Sequence, residues 1–277
     1  MAVNWPTITI LCLVLMAGCD RTDSKPDDTG DAADMVLTDH IVHSDTSIET
    51  LELPDLTGRT YRVYEMFAIE PTDKINETWQ VTIEDYSLIL LFRVVSHDPA
   101  AGTMIMDAGA GWADREEQAD GTFTISSFQF GLVPGQIHFQ FTGNTFVVTQ
   151  PFELDLFPLT VNKPFHIHKV VGHGHFSEDG SRLEEIFMDG FLAEAQVIDF
   201  CLILPGFGSV NFHWFMNLAG ICALTDSDGD DLPDSYNFKG ILRAQDESHL
   251  FVEGIHPIEP QVAECNVHAD PCIPAEQ

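Results

Sequence analysis

An all-β body, an antiparallel sandwich or barrel, is predicted from three features of the sequence. Period-two alternation recurs along the middle of the chain. In Gln136–Phe141 (QIHFQF), Ile137, Phe139 and Phe141 fall on one face and Gln136, His138 and Gln140 on the other. Turn chemistry separates the alternating runs at intervals of about ten residues, without long helical stretches between them. Twenty phenylalanines then supply bulk for a core.

Taken in order, Ser87–Val95 (SLILLFRVV) is continuously apolar and reads as a strand buried on both faces. Thr122–Phe130 (TFTISSFQF), Gln136–Phe141 and Phe152–Phe157 (FELDLF) alternate. The turns between strands are HDPAAG at His97–Gly102, ADG at Ala119–Gly121, TGN at Thr142–Asn144 and EDGS at Glu178–Ser181. The glycine-rich Asp107–Trp112 (DAGAGW) lacks the lysine and strand-to-helix context of a phosphate cradle and is expected to form a bulge or tight turn. One or two short helices are expected near Pro71–Asn76 and Asn211–Leu218. The aromatic run Phe212–Met216 (FHWFM) leaves two readings, a ligand pocket lined by Trp214 and phenylalanines or core packing, of which core packing is the cheaper.

The N-terminus reads as an export signal. An apolar run, Ile8–Met16, is too short to span a bilayer and ends in small residues before Cys19. LMAGC at Leu15–Cys19 resembles the lipobox of bacterial lipoproteins, which implies a signal peptide over 1–18 and a lipid on Cys19. The bilayer is then a partner through that anchor, and the protein belongs to the bacterial cell envelope, with inner and outer membrane both open. Residues 19–55 are acidic and poor in aromatics, so a flexible linker is expected there. Residues 56–277 form the β-rich exported domain.

Lysine and arginine number 12 against 44 acids, a net charge of −32. Such acidity repels nucleic acid and anionic lipid head groups, and suits solubility or cation binding. No GxSxG elbow, phosphate-binding glycine loop or HExxH helix occurs in the sequence. Four cysteines lie in the exported domain, Cys201, Cys222, Cys265 and Cys272. An even number in an exported chain points to two disulfides. Three pairings exist; Cys201 with Cys222 and Cys265 with Cys272 is the expected one.

Two stretches carry metal chemistry. Thr225–Tyr236 (TDSDGDDLPDSY) spaces carboxylates at Asp226, Asp228, Asp230 and Asp234, with the Leu232 carbonyl at the seventh position. Calcium takes six to eight oxygens, which alternate aspartates in a curled loop supply. The stretch resembles the DxDGDxxxD loops of thrombospondin type 3 repeats and related EF-hand-like modules, which implies calcium binding. It departs from an EF-hand in having Asp231 at position six and Asn237 at position twelve. The second stretch is Phe165–Phe176 (FHIHKVVGHGHF). A hairpin turning at Lys169–Gly172 would set His168 against His173 and His166 against His175, all on one face and able to take zinc or copper. Glu153, Glu178 and Asp179 lie near in sequence as candidates for a general base.

Two functions follow as expectations. The first is a lipid-anchored binding or structural module with a structural calcium, recognising an envelope ligand or protein. The second is a transition-metal-dependent enzyme or metal-handling protein built on the histidines.

Overall fold

The computed structural model describes residues 53–259, apart from 72, 159–160, 205–207, 219, 228 and 230–231, together with Cys265. Alternation and turn chemistry give thirteen strands among the described residues. They are β1 (Thr60–Glu70), β2 (Leu90–Asp98), β3 (Thr103–Glu117), β4 (Phe123–Phe130), β5 (Gly135–Thr142), β6 (Thr145–Val148), β7 (Phe152–Leu156), β8 (Phe165–Phe176), β9 (Arg182–Ala193), β10 (Cys201–Leu204), β11 (Gly208–Asn211), β12 (Ser235–Asp246) and β13 (Phe251–Ile255). Three short helices accompany them: α1 (Asn76–Glu84), preceded by a 3-10 turn at Asp73–Ile75, α2 (Glu194–Ile198) and α3 (Phe212–Leu218).

Eight strands close into an antiparallel barrel, in the order β1, β2, β3, β5, β6, β8, β9 and β12, which returns to β1. An eight-stranded barrel is just wide enough for side chains to fill. Phe92, Met106, Phe139, Phe146, Phe176, Leu183 and Ile186 fill this one around a void of about 10 Å³. Additional strands extend the wall. β4 pairs with the far half of β3, β13 lies parallel to β4, β7 pairs with the first half of β8, and β10 and β11 form a separate hairpin.

Of the expected strand Ser87–Val95, Leu88–Phe92 is buried on both faces, whereas the strand itself starts at Leu90 and Val95 is exposed. Leu88, Leu90 and Phe92 join the barrel core, while Ile89 and Leu91 join a smaller cluster with Ala113, Phe128 and Phe130 beneath β4. The four predicted turns all form hairpins, with Gly102, Gly121, Gly143 and Gly180 at positive φ.

Asp107–Trp112 is not a turn; it runs through the middle of β3. One edge of β3 pairs with β5 as far as Ala108 and with β4 from Gly111 onward. A Cβ at Gly111 would lie 2.5 Å from Ile89 Cγ2, so glycine here serves close strand packing. The packed body also begins earlier than 56: Leu53, in the expected linker, is only 6% exposed and joins the core with Leu56.

Cys201 is bonded to Cys265, not to Cys222, which corrects the expected pairing. Cys222 is itself disulfide-bonded; Cys272 lies outside the described residues. The pairing escapes a reading by spacing because the bridge joins β10 to a segment 64 residues away. On β1, buried Arg62 meets buried Glu247 through two hydrogen bonds of 2.7 and 2.8 Å, with the guanidinium over the Tyr86 ring.

Candidate metal centre

Alternation along β7 buries Phe152, Leu154 and Leu156 and turns Glu153 and Asp155 outward. Along the start of β8 it buries Phe165 and Ile167 and turns His166 and His168 outward. Antiparallel register then sets Leu154 against Ile167, Asp155 against His166 and Leu156 against Phe165. The four polar side chains therefore share the outer face of one two-stranded ribbon.

A bulge finishes the arrangement. Between the pairs Phe152–Val170 and Leu154–Ile167, β8 carries one residue more than β7. Lys169 takes φ of +52° at this point, a region L-residues seldom occupy outside bulges and turns. The extra residue leaves Glu153 opposite His168 and Lys169, from where its carboxylate reaches both histidines. The Lys169 backbone N–H donates to Glu153 Oε1 at 3.3 Å. Beyond the reach of β9, the Gln196 carboxamide of α2 occupies the other edge of β8. It donates to the His166 carbonyl at 2.9 Å and accepts from the His166 N–H at 3.2 Å.

Glu153 Oε2 lies 2.9 Å from His166 Nε2 and 2.9 Å from His168 Nδ1. His166 Nδ1 lies 2.5 Å from Asp155 Oδ1. The two imidazole rings stand 4.4 Å apart at 75°. Among the described residues, Glu153, His166 and His168 are the group whose ligand atoms all fall within 4.8 Å of one another. Tetrahedral zinc, with bonds of about 2.0–2.2 Å, sets its ligand atoms roughly 3.3–3.5 Å apart. An opening of a few tenths of an ångström around Glu153 Oε2 would admit the ion.

Both ring nitrogens of His166 face carboxylate oxygens, yet a neutral imidazole carries a single N–H. Satisfying both sides takes a second positive group, either a proton on Nε2 or a metal ion between Nε2 and Glu153. The Asp155 contact matches the carboxylate–histidine pairing that fixes the tautomer of a metal-bound imidazole. Exposures of 28% for the His166 side chain and 39% for His168 leave the ligand side open to solvent.

His173 and His175 do not join this group. No hairpin forms at Lys169–Gly172, because Phe165–Phe176 is one continuous strand. Five residues at about 3.3 Å each put His173 roughly 16 Å beyond His168. There His173 stacks on Phe187, with centroids 4.9 Å apart, and His175 lies 3.4 Å from Glu184. The other two candidate bases lie in the turn between β8 and β9, away from the triad. Asp179 Oδ1 accepts hydrogen bonds from Ser177 Oγ and from the Ser181 N–H and Oγ, which hold its carboxyl well below the usual range.

Of the aspartate loop, Asp226, Leu232 and Asp234 are described, while Asp228 and Asp230 lie outside the described residues, as does Cys19. Asp226 Oδ1 accepts from the Gly229 N–H at 2.6 Å. Asp234 Oδ1 accepts from the Ser227 N–H, Ser227 Oγ and Ser235 Oγ, which hold its carboxyl below the usual range. Lys169 Nζ donates to the Ser227 carbonyl at 2.7 Å, so the bulge beside the histidines also anchors this loop.

In the sequence Glu153 stands out as a possible base, while Asp155 does not. The signal was present in FELDLF, whose alternation throws both acids to the face opposite the apolar residues. What spacing does not reveal is the register that sets them against His166 and His168. The chain matches no family model, no curated protein and no solved structure.

Proposed function

We propose that this chain is an exported, lipid-anchored β-barrel that binds a divalent transition metal ion, zinc foremost, through Glu153, His166 and His168. One observation carries the reading: both nitrogens of His166 face carboxylates, and an ion between Nε2 and Glu153 satisfies a pair that a neutral imidazole leaves in conflict. Two imidazoles and one carboxylate form a ligand set that zinc uses with a further coordination position left open. Bound there, zinc would supply a Lewis-acid centre on the outer wall of the barrel. Asp155 would orient His166, and the Gln196 carboxamide would fix the backbone that carries it. The half-exposed ligands suit capture and exchange of an ion, which favours metal handling over catalysis. Export and anchoring rest on Met1–Cys19, and the loop Asp226–Asp234 is retained as a structural calcium site.

Zinc titrated into the chelator-treated full-length protein tests the proposal. It should bind one ion per chain, and His166→Ala and His168→Ala should each abolish that binding while the far-ultraviolet spectrum stays the same. Copper displacing zinc at the same residues would change the metal and keep the site. Zinc uptake unaltered by both substitutions would overturn it.

A further inference from the structure

At one end of the barrel, a cavity of about 90 Å³ lies between the strands, α1, β10 and α3. It is nine times the void inside the barrel. Its wall is built largely from Trp79, Leu156, Phe165, Phe200, Phe212 and Phe215. The aromatic part is ordered: Phe165, Phe200 and Phe212 meet edge to face, with centroids 5.1, 5.8 and 5.9 Å apart. Edge-to-face packing of this kind stabilises the rings in these positions. A concave, mostly apolar recess of this kind is the usual form of a small-ligand site.

The wall also says what the occupant is. Among the described residues, no ionisable side chain lines the cavity. The Thr82 hydroxyl reaches it but donates to the Trp79 carbonyl at 2.8 Å. A polar ligand would lose its water and gain little in return, whereas an apolar one gains by leaving water for an apolar wall. About 10–15 Å³ of such space holds one water, so the cavity holds the bulk of roughly six to nine waters, close to that of a short alkyl chain. Ile203, 40% exposed, stands at the lip, so a chain end can enter from solvent.

We propose that this cavity is a binding site for a single aliphatic hydrocarbon chain. It is independent of the metal centre: Phe165 and Leu156 turn inward to line it, while their neighbours His166 and Asp155 turn outward.

The test uses 8-bromooctan-1-ol, whose bromine quenches tryptophan at contact, with the full-length protein. Trp79 lines the cavity, whereas Trp112 stacks on His256 and Trp214 lies on the half-exposed side of α3. Quenching should saturate, and plain octan-1-ol should reverse it. Trp79→Phe should abolish the saturable quenching while octan-1-ol still raises the melting temperature of the variant. Val161→Leu, which adds one methylene to the wall, should weaken binding several-fold. Quenching that rises linearly without saturation, or saturable quenching that Trp79→Phe leaves intact, would overturn the proposal. The first of these outcomes needs only the unaltered protein.

Discussion

Asp155 Oδ1 and His166 Nδ1 lie 2.5 Å apart across the register pair that joins β7 to β8. The contact turns Nε2 of the same ring toward Glu153 and His168. Asp155 is thus a positioning residue, one shell removed from any ion. Losing such a partner typically costs 10- to 100-fold in metal affinity. Asp155→Asn is therefore expected to weaken zinc binding by about that factor in a calorimetric titration and to preserve the one-to-one stoichiometry. His173→Ala and His175→Ala, on the same strand, should leave the affinity within about two-fold.

His97 gives stability a pH dependence. Its side chain is fully buried, Nδ1 accepts the Leu56 N–H at 3.2 Å, and Nε2 has no partner among the described residues. Burial holds the imidazole below its usual range, against the opposing pull of Asp55 and Asp98. The unfolded chain then takes up the proton first, near pH 6.5. The stabilisation from neutral His97 is complete above that pH and is lost as pH falls through it toward the folded-state value. His97→Asn keeps an acceptor for Leu56 and does not titrate. Melting temperatures from pH 7.5 to 5 should fall less steeply for this variant than for the parent; equal slopes would exclude the assignment.

Arg62 and Glu247 are a buried pair, 7% and 8% exposed. Burial raises the carboxyl pKa, but the Arg62 guanidinium, the Gln245 carboxamide and His249 together outweigh that effect and the net direction is downward. Glu247→Ala would strand the guanidinium in the interior at a cost of about 3–5 kcal/mol, read by urea denaturation. The double variant Arg62→Met, Glu247→Leu removes both charges and should recover most of that loss. A single variant that costs under about 1 kcal/mol would contradict this.

Calcium at the aspartate loop is expected to raise the melting temperature, and chelation to reverse the rise. Asp226→Ala should abolish the response. Because Lys169 ties this loop to the bulge beside His168, zinc affinity measured with and without calcium would show whether the two sites communicate.

Much of the fold is legible in the sequence because burial dictates residue type. Leu88–Phe92 has no polar position, and both its faces are covered; Gly102, Gly121, Gly143 and Gly180 mark hairpins that form. The metal centre was half legible. His166 and His168 stand out by composition, but Lys169–Gly172 reads equally as a turn and as a bulged continuation of a strand. That choice rests on Phe187 and Asp189 of β9, which pair with His173 and Val171 and hold the strand straight. Glu153 and Asp155 reach the histidines through register, and Cys201 reaches Cys265 through the path of the chain. Neither is a property of local spacing.

Glu153, His166 and His168 are proposed to hold a transition metal ion. Elemental analysis of the full-length protein, purified without chelator, tests it most directly. About one zinc per chain is expected, absent from the triple variant Glu153→Ala, His166→Ala, His168→Ala. A parent protein free of transition metal that also fails to take up added zinc would contradict it, as would a triple variant that retains the metal.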